Sequence, residues 1–270
     1  MTGEPMSELR RRVATARPAP LRGPAQAFAG DEFARDWNQE LPSTAVEVVL
    51  ELDGVWDLEL DHRHTECRAF AAGMLAAPAR SRAQGSVRLI QLAVDPLAVP
   101  ALLGVPAGKL AGIAAPIDAL LGADAERLLD QLNAATSPAF TAEAWASGCI
   151  AAGHLNGPSV PADVRRAAEL IRVSGGTIRV DAIASELGCS RRHLSRRFRE
   201  WIGVSPSAYR RLARFESATT ALRRVPGQQL GRLALDCGYA DHAHMDRDFA
   251  ALAAATPSEV AARFSSARHD

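Results

Sequence analysis

The sequence predicts an α+β protein: a mixed α/β N-terminal domain, then an all-α domain with two helix-turn-helix units joined by a long helix. Three observations carry that expectation. Between residues 184 and 260 one order of markers occurs twice. Apolar residues recur with a strand period between residues 45 and 94, and with a helix period beyond Pro96. A run of chain breakers, His154-Leu155-Asn156-Gly157-Pro158-Ser159-Val160-Pro161, separates the two regimes.

Residues 1–24 read as a mobile tail, because they combine Arg10-Arg11-Arg12 with Pro5, Pro18, Pro20 and Pro24. Residues 25–152 read as the mixed α/β domain. Within it, Ala45 to Leu52 and Val55 to Leu60 flank Asp53-Gly54. The second run alternates strictly, with Trp56, Leu58 and Leu60 on one side and Asp57 and Glu59 on the other. That pattern predicts a β-hairpin. Further strands are expected at Cys67–Met74 and Val87–Val94. After Pro96 short helical pieces are broken at Gly104, Pro106, Gly112, Pro116 and Gly122, and longer helices are expected near Asp124–Asn133 and Thr141–Ala152. Residues 153–161 then read as a linker and 162–270 as the all-α domain.

The repeat itself specifies helix-turn-helix geometry. Ala184, Gly188, Ser190, Leu194, Phe198, Ser205 and Pro206 recur as Ala234, Gly238, Asp241, Met245, Phe249, Thr256 and Pro257. A small residue four places before a Gly allows close helix approach, and the Gly accepts the positive φ that ends a helix. Ser190 and Asp241 have the side-chain oxygen that caps a second helix. Leu194, Phe198 and Ile202, and likewise Met245, Phe249 and Leu252, form one apolar stripe each. Ser205-Pro206 and Thr256-Pro257 combine cap and first-turn proline. The spacing is 51 residues from Ser190 onward but 50 before it, so the second turn carries one extra residue. Pro206 to Arg224 is expected as one helix joining the units. Ser174-Gly175-Gly176-Thr177 reads as a turn between helices.

A net charge of zero hides an asymmetry. Residues 1–161 hold 13 Arg and Lys against 19 Asp and Glu, whereas residues 162–270 hold 18 against 12. Most of the excess, 14 Arg against 6 acids, lies in 162–225, so attraction for phosphates should come mainly from the first unit. Cys67, Cys149, Cys189 and Cys237 lack the paired spacing of a zinc site or disulfide framework and read as small core residues in a reducing compartment. No long apolar run suggests a signal or membrane span, so a cytoplasmic protein is expected. His62, His64, Glu66 and Cys67 are the one cluster of metal-ligand types, and a polar loop is the preferred reading there. No metal, cofactor or catalytic residue is expected, since nucleophile elbow, phosphate loop and dinucleotide fingerprint are all missing.

The strings LGCSRRHLSRRFREWIGVSPSAYRR and LALDCGYADHAHMDRDFAALAAATPSEV resemble the two halves of the DNA-binding domain of AraC-type transcriptional regulators. One departure is Ala254, where that family usually has Gly. The segment LIQLAVDPLAVPALLGVPAGKL with PIDALLG also resembles the N-terminal domain found ahead of some of these domains. That second resemblance implies a sensor-like or dimerising module. Together they imply a non-enzymatic, sequence-specific DNA-binding regulator that receives a signal through its front domain. The expected partners are double-stranded DNA, a small-molecule effector, RNA polymerase and a second copy of the chain. An enzymatic front domain tethered to DNA, or one that only dimerises, are the alternatives.

By resemblance, Arg192, Ser195 and Arg196 face base edges. From the helical spacing, Arg199 shares that outward face, and Arg191, Arg197, Arg199, Arg210 and Arg211 are suited to phosphates. In the second unit the corresponding face offers His242, Ala243, Asp246 and Arg247. An Arg can grip guanine O6 and N7 bidentately, whereas Ala can touch only a thymine methyl. Asp241, Asp246 and Asp248 would repel phosphates unless paired, with Arg247 a candidate partner.

Overall fold

The computed structural model describes residues 5–15, 19–31, 33, 36–60, 63–153, 157–225 and 227–266. Its N-terminal half holds nine strands among the described residues: β1 (Gln26–Gly30), β2 (Asn38–Glu40), β3 (Val46–Glu51), β4 (Trp56–Leu60), β5 (Arg63–Cys67), β6 (Phe70–Ala72), β7 (Ala79–Ala83), β8 (Val87–Val94) and β9 (Ala114–Pro116). They form two antiparallel sheets, one in the order β1-β8-β3-β6-β9 and one in the order β2-β7-β4-β5.

Alternation decides which way each strand faces. In β3 and β8, Val46, Val48, Leu50, Ile90, Leu92 and Val94 are buried against helices. Those helices are α2 (Val99–Leu103), α3 (Ile117–Leu121), α4 (Ala123–Ala134) and α5 (Pro138–Ala152), after α1 (Met6–Thr15). The opposite side of the five-stranded sheet, with Val87, Leu89 and Phe70, joins Trp56, Leu58, Leu60 and Ala79 of the other sheet in a second core.

The hairpin expected around Asp53-Gly54 does not form. β3 pairs with β6 and β8, and β4 pairs with β5 and β7, so the chain crosses between sheets at this point. The Glu51 carboxylate makes the crossing. Fully buried, it accepts hydrogen bonds from the N–H of Asp53 (3.1 Å), Gly54 (2.9 Å) and Arg88 (2.9 Å) and from Trp56 Nε1 (2.9 Å). Gly54 is not in the positive-φ region that a two-residue hairpin turn would require. It is small for another reason, since a Cβ there would sit 3.0 Å from Val87 Cγ1. The single strand expected at Cys67–Met74 likewise splits between β5 and β6, in different sheets.

The expected tail also differs. Within residues 1–24, α1 is a helix whose Leu9 and Val13 are buried among Val164, Ala167 and Ala168. Arg10 Nε adds an ion pair with Glu186 at 2.8 Å. An apolar pair at i, i+4 is what the composition concealed. Residues 1–4 and 16–18 lie outside the described residues.

The C-terminal half is helical: α6 (Ala162–Val173), α7 (Val180–Glu186), α8 (Arg191–Ile202), α9 (Pro206–Arg224), α10 (Leu230–Asp236), α11 (His242–Ala253) and α12 (Pro257–Ser266). α9 spans both of its cores. Tyr209 and Ala213 pack with α6 to α8, and Leu212, Phe215, Ala218 and Leu222 pack with α10 to α12.

Candidate DNA-binding face and interior cavity

Each helix-turn-helix turn closes the same way. In the first, the N–H groups of Gly188 and Cys189 bond the carbonyls of Ser185 and Ala184; in the second, those of Gly238 and Tyr239 bond Leu235 and Ala234. Gly188 (φ 62°) and Gly238 (φ 78°) supply the left-handed residue this closure needs. Ala240 is the extra residue of the second turn, inserted between the closure and the Asp241 cap. Ser190 Oγ then accepts from the N–H of His193 (3.2 Å), and Asp241 Oδ1 from that of His244 (2.7 Å). Ser205 Oγ caps α9 through the N–H of Ala208 at 3.1 Å. Thr256 and Glu259 bond reciprocally at the start of α12.

With Leu194, Phe198 and Ile202 buried, α8 turns Arg192, Arg196 and Arg199 to solvent and leaves Ser195 half-buried. Among the described residues neither Arg192 nor Arg199 pairs with a carboxylate. Arg191 pairs with Asp181 at 3.1 Å. In α11, Met245, Phe249 and Leu252 are buried and His242, Ala243 and Arg247 are exposed. His242 meets Asp246 at 3.2 Å, and Arg247 bends back onto the carbonyl of Ala243 at 3.1 Å. Asp248 is 8% exposed, and its partners are Arg211 (2.7 Å) and Arg214 (3.4 Å) on α9 rather than Arg247.

Four of the arginines expected to meet phosphates, Arg191 included, therefore have partners within the chain. Arg197 pairs with Asp163 at 2.9 Å, Arg211 with Asp248, and Arg210 Nε donates to the carbonyl of Gly176 at 3.2 Å. Burial, together with neighbouring Arg214 and Arg179, lowers Arg210 to about 10. A half-buried cation crowded by two others is a position that an anion would relieve.

The front half contains a cavity of about 230 Å³ between the two sheets. Phe28, Phe33, Trp56, Leu58, Phe70 and Leu89 form apolar walls, and Glu40 and Glu47 supply carboxyls. Nothing in the period-2 pattern indicated this space, because alternation shows which face of a strand is covered and not whether the space behind it is filled. Burial raises the carboxyls of Glu40 and Glu47 above the usual range, against the opposing hydrogen bonds from Ser81 to Glu40 and from Ser43 and Gln91 to Glu47. Met74 lines the same cavity and is also buried among the residues of the first helix-turn-helix core. Ser43 bonds Glu47 at 3.0 Å, and its neighbour Thr44 bonds Glu216 of α9 at 2.5 Å.

The two halves touch elsewhere as well. Gly108, in a short 3-10 turn at Ala107–Leu110, packs so closely on the end of α8 that a Cβ would fall 2.1 Å from the carbonyl of Glu200. Arg22 pairs with Asp95 at 2.9 Å and donates to the buried Tyr209 hydroxyl at 3.2 Å.

Of the candidate metal residues, His62 lies outside the described residues and His64 approaches Asp57 at 3.4 Å. Burial, with Glu66 beside Cys67 and Asp236 beside Cys237, pushes both thiols up to about 11, which suits packing rather than nucleophilic chemistry. No described helix is long and apolar enough to cross a membrane.

A family model described as a helix-turn-helix domain matches residues 183–263. No curated protein sequence matches the chain. Solved structures of ToxT from Vibrio cholerae share its fold. One, bound to (E)-4-(8-methylnaphthalen-1-yl)but-3-enoic acid, is 12% identical with a TM-score of 0.56, covering 90% of this chain and 100% of its own. A second, with unsaturated fatty acid bound, is 12% identical with a TM-score of 0.52, covering 90% and 97%. Residues 183–263 form an AraC-type helix-turn-helix domain, and the protein that carries it is a DNA-binding transcription regulator.

Proposed function

We propose that residues 162–270 read a specific duplex sequence, with α8 providing most of the affinity and α11 adding modest specificity. The observation that carries this reading is the unequal chemistry of two equivalent faces. α8 presents Arg192, Arg196 and Arg199 beside Ser195, while α11 presents His242, Ala243 and an Arg247 folded onto its own helix. Each bidentate Arg–guanine contact contributes about 1–3 kcal/mol of discrimination. Because α9 is shared by both cores, the two reading helices are held on one rigid body suited to successive major grooves. Binding of Arg196→Ala and Arg247→Ala to one operator tests the ranking. The larger loss is expected from Arg196→Ala, and a larger loss from Arg247→Ala would overturn it.

The front domain, residues 25–152, serves on this reading as the effector domain, with 153–161 as linker. The support is a cavity that reaches the DNA-binding half through Met74 and through Ser43-Thr44 to Glu216. Acidic apolar molecules are bound by ToxT, a protein of the same fold. A ligand bound only by the folded protein raises its melting temperature, so a screen of small amphiphiles against the full chain tests the effector role. Action in the cytoplasm, a second copy of the chain and RNA polymerase as partners complete the proposal; no catalytic step enters it.

A further inference from the structure

We infer that the cavity between the sheets takes a lipophilic amine, an apolar body carrying a cationic, hydrogen-bond-donating head that docks between Glu40 and Glu47. This rests on reading the cavity as the effector chamber and names the ligand class.

The walls set one half of the specification. Phe28, Phe33, Trp56, Leu58 and Leu89 offer aromatic and aliphatic surface without donors apart from the Trp56 Nε1–H, which Glu51 already accepts. Only an apolar body gains by leaving water for such a space.

The polar residues set the other half. Glu40 comes from β2 in one sheet and Glu47 from β3 in the other, so two acidic groups reach the cavity from independent elements. Glu40 accepts from the Ser81 hydroxyl, and Glu47 accepts from Ser43 at 3.0 Å and from the Gln91 amide at 3.2 Å. These neutral donors leave acceptor capacity on both carboxyls, each of which can accept about four hydrogen bonds when ionised. Among the described residues neither carboxyl has a cationic partner. Glu40 keeps a large accessible surface although protein surrounds it densely, as expected of a group that borders a cavity. Arg80, the one cation among the described lining residues, is committed elsewhere: it pairs with Glu59 at 2.5 Å and lies over the Trp37 ring at 5.3 Å. An anionic head would thus meet two acids and, among the described lining residues, no available cation. An ammonium would gain charge-assisted bonds from both and relieve the desolvation that makes the two acids hard to ionise.

The experiment measures binding of n-octylamine, 1-octanol and octanoic acid to the full-length protein near neutral pH, by melting temperature and by Trp fluorescence. The Glu40→Gln/Glu47→Gln variant is run in parallel. The amine is expected to bind roughly tenfold or more tighter than the alcohol, with the acid weakest. In the variant, which keeps the size of both side chains and removes their charge, the amine should fall to the level of the alcohol. Equal or tighter binding of the acid or alcohol by the natural protein, or an amine preference that survives in the variant, would overturn the head-group assignment while leaving the chamber intact. If none of the three binds, the chamber reading itself fails.

Discussion

At the scale of single residues, strain and burial mark positions where sequence and structure pull against each other. Ala254 is the only non-glycine with positive φ among the described residues, at 46°. The resemblance to AraC-type domains flagged this site because a glycine is usual there. Ala254→Gly should therefore raise stability by about 1 kcal/mol, measured by thermal or denaturant unfolding; destabilisation would show that the alanine methyl contributes more packing than its conformation costs. Glu47 pulls the other way. Burial raises its carboxyl, so the folded state holds that proton more tightly than the unfolded chain does. Its contribution to stability is full below the unfolded value near 4 and is lost as pH rises through the higher folded value. Glu47→Gln should accordingly melt above the natural protein at neutral pH, and the gap should close in acid. A gap that stayed constant with pH would contradict that sign. The outward-facing residues of α8 and α11 were legible because helical spacing fixes which way a side chain points. The partners of Arg197, Arg210 and Arg211 were not, since Asp163, Gly176 and Asp248 come from other segments of the chain.

At the scale of elements, α9 was readable to the residue and β3, β4 and β8 nearly so, whereas other strands of the front half were not. α9 occupies Pro206–Arg224, as the cap, first-turn proline and apolar spacing specified, because those signals are all local. β1 and β2 escaped notice because QAFAG and NQE carry neither β-branched residues nor clear alternation, and β7 because ARSRA alternates Arg only with small residues. Asp-Gly was misread at residues 53 and 54 because a buried carboxylate can redirect a chain that local turn chemistry would fold into a hairpin. The elements also differ in what holds them. α11 is tied to α9 by Asp248, which the mostly buried Arg214 and half-buried Arg211 share, over the Phe215–Phe249 ring contact at 4.6 Å. Asp248→Ala removes the only carboxylate these two cations share among the described residues and should cost about 2–3 kcal/mol in denaturant unfolding. A loss below 1 kcal/mol would mean that water reaches the site.

At the scale of the whole molecule, the front domain rests directly on the reading apparatus. Gly108 meets the backbone at the end of α8, Met74 connects cavity and core, and Thr44 bonds α9. Gly108→Ala places a methyl group against the Glu200 carbonyl and should loosen this seam, speeding amide hydrogen exchange around residues 200–204. Gly148→Ala, which meets nothing within 4 Å, should leave exchange there unchanged. Equal exchange in both variants would show the seam to be incidental. The central claim is that two unequal reading helices, fixed by one shared helix, lie side by side along a duplex. Selection of bound duplexes from a random pool by the full-length protein tests it most directly. The expected result is two sequence blocks centred about 10–10.5 base pairs apart, the stronger one guanine-rich and lost in Arg196→Ala. Enrichment of no sequence over scrambled competitor, or of a single block indifferent to Arg196, would contradict it.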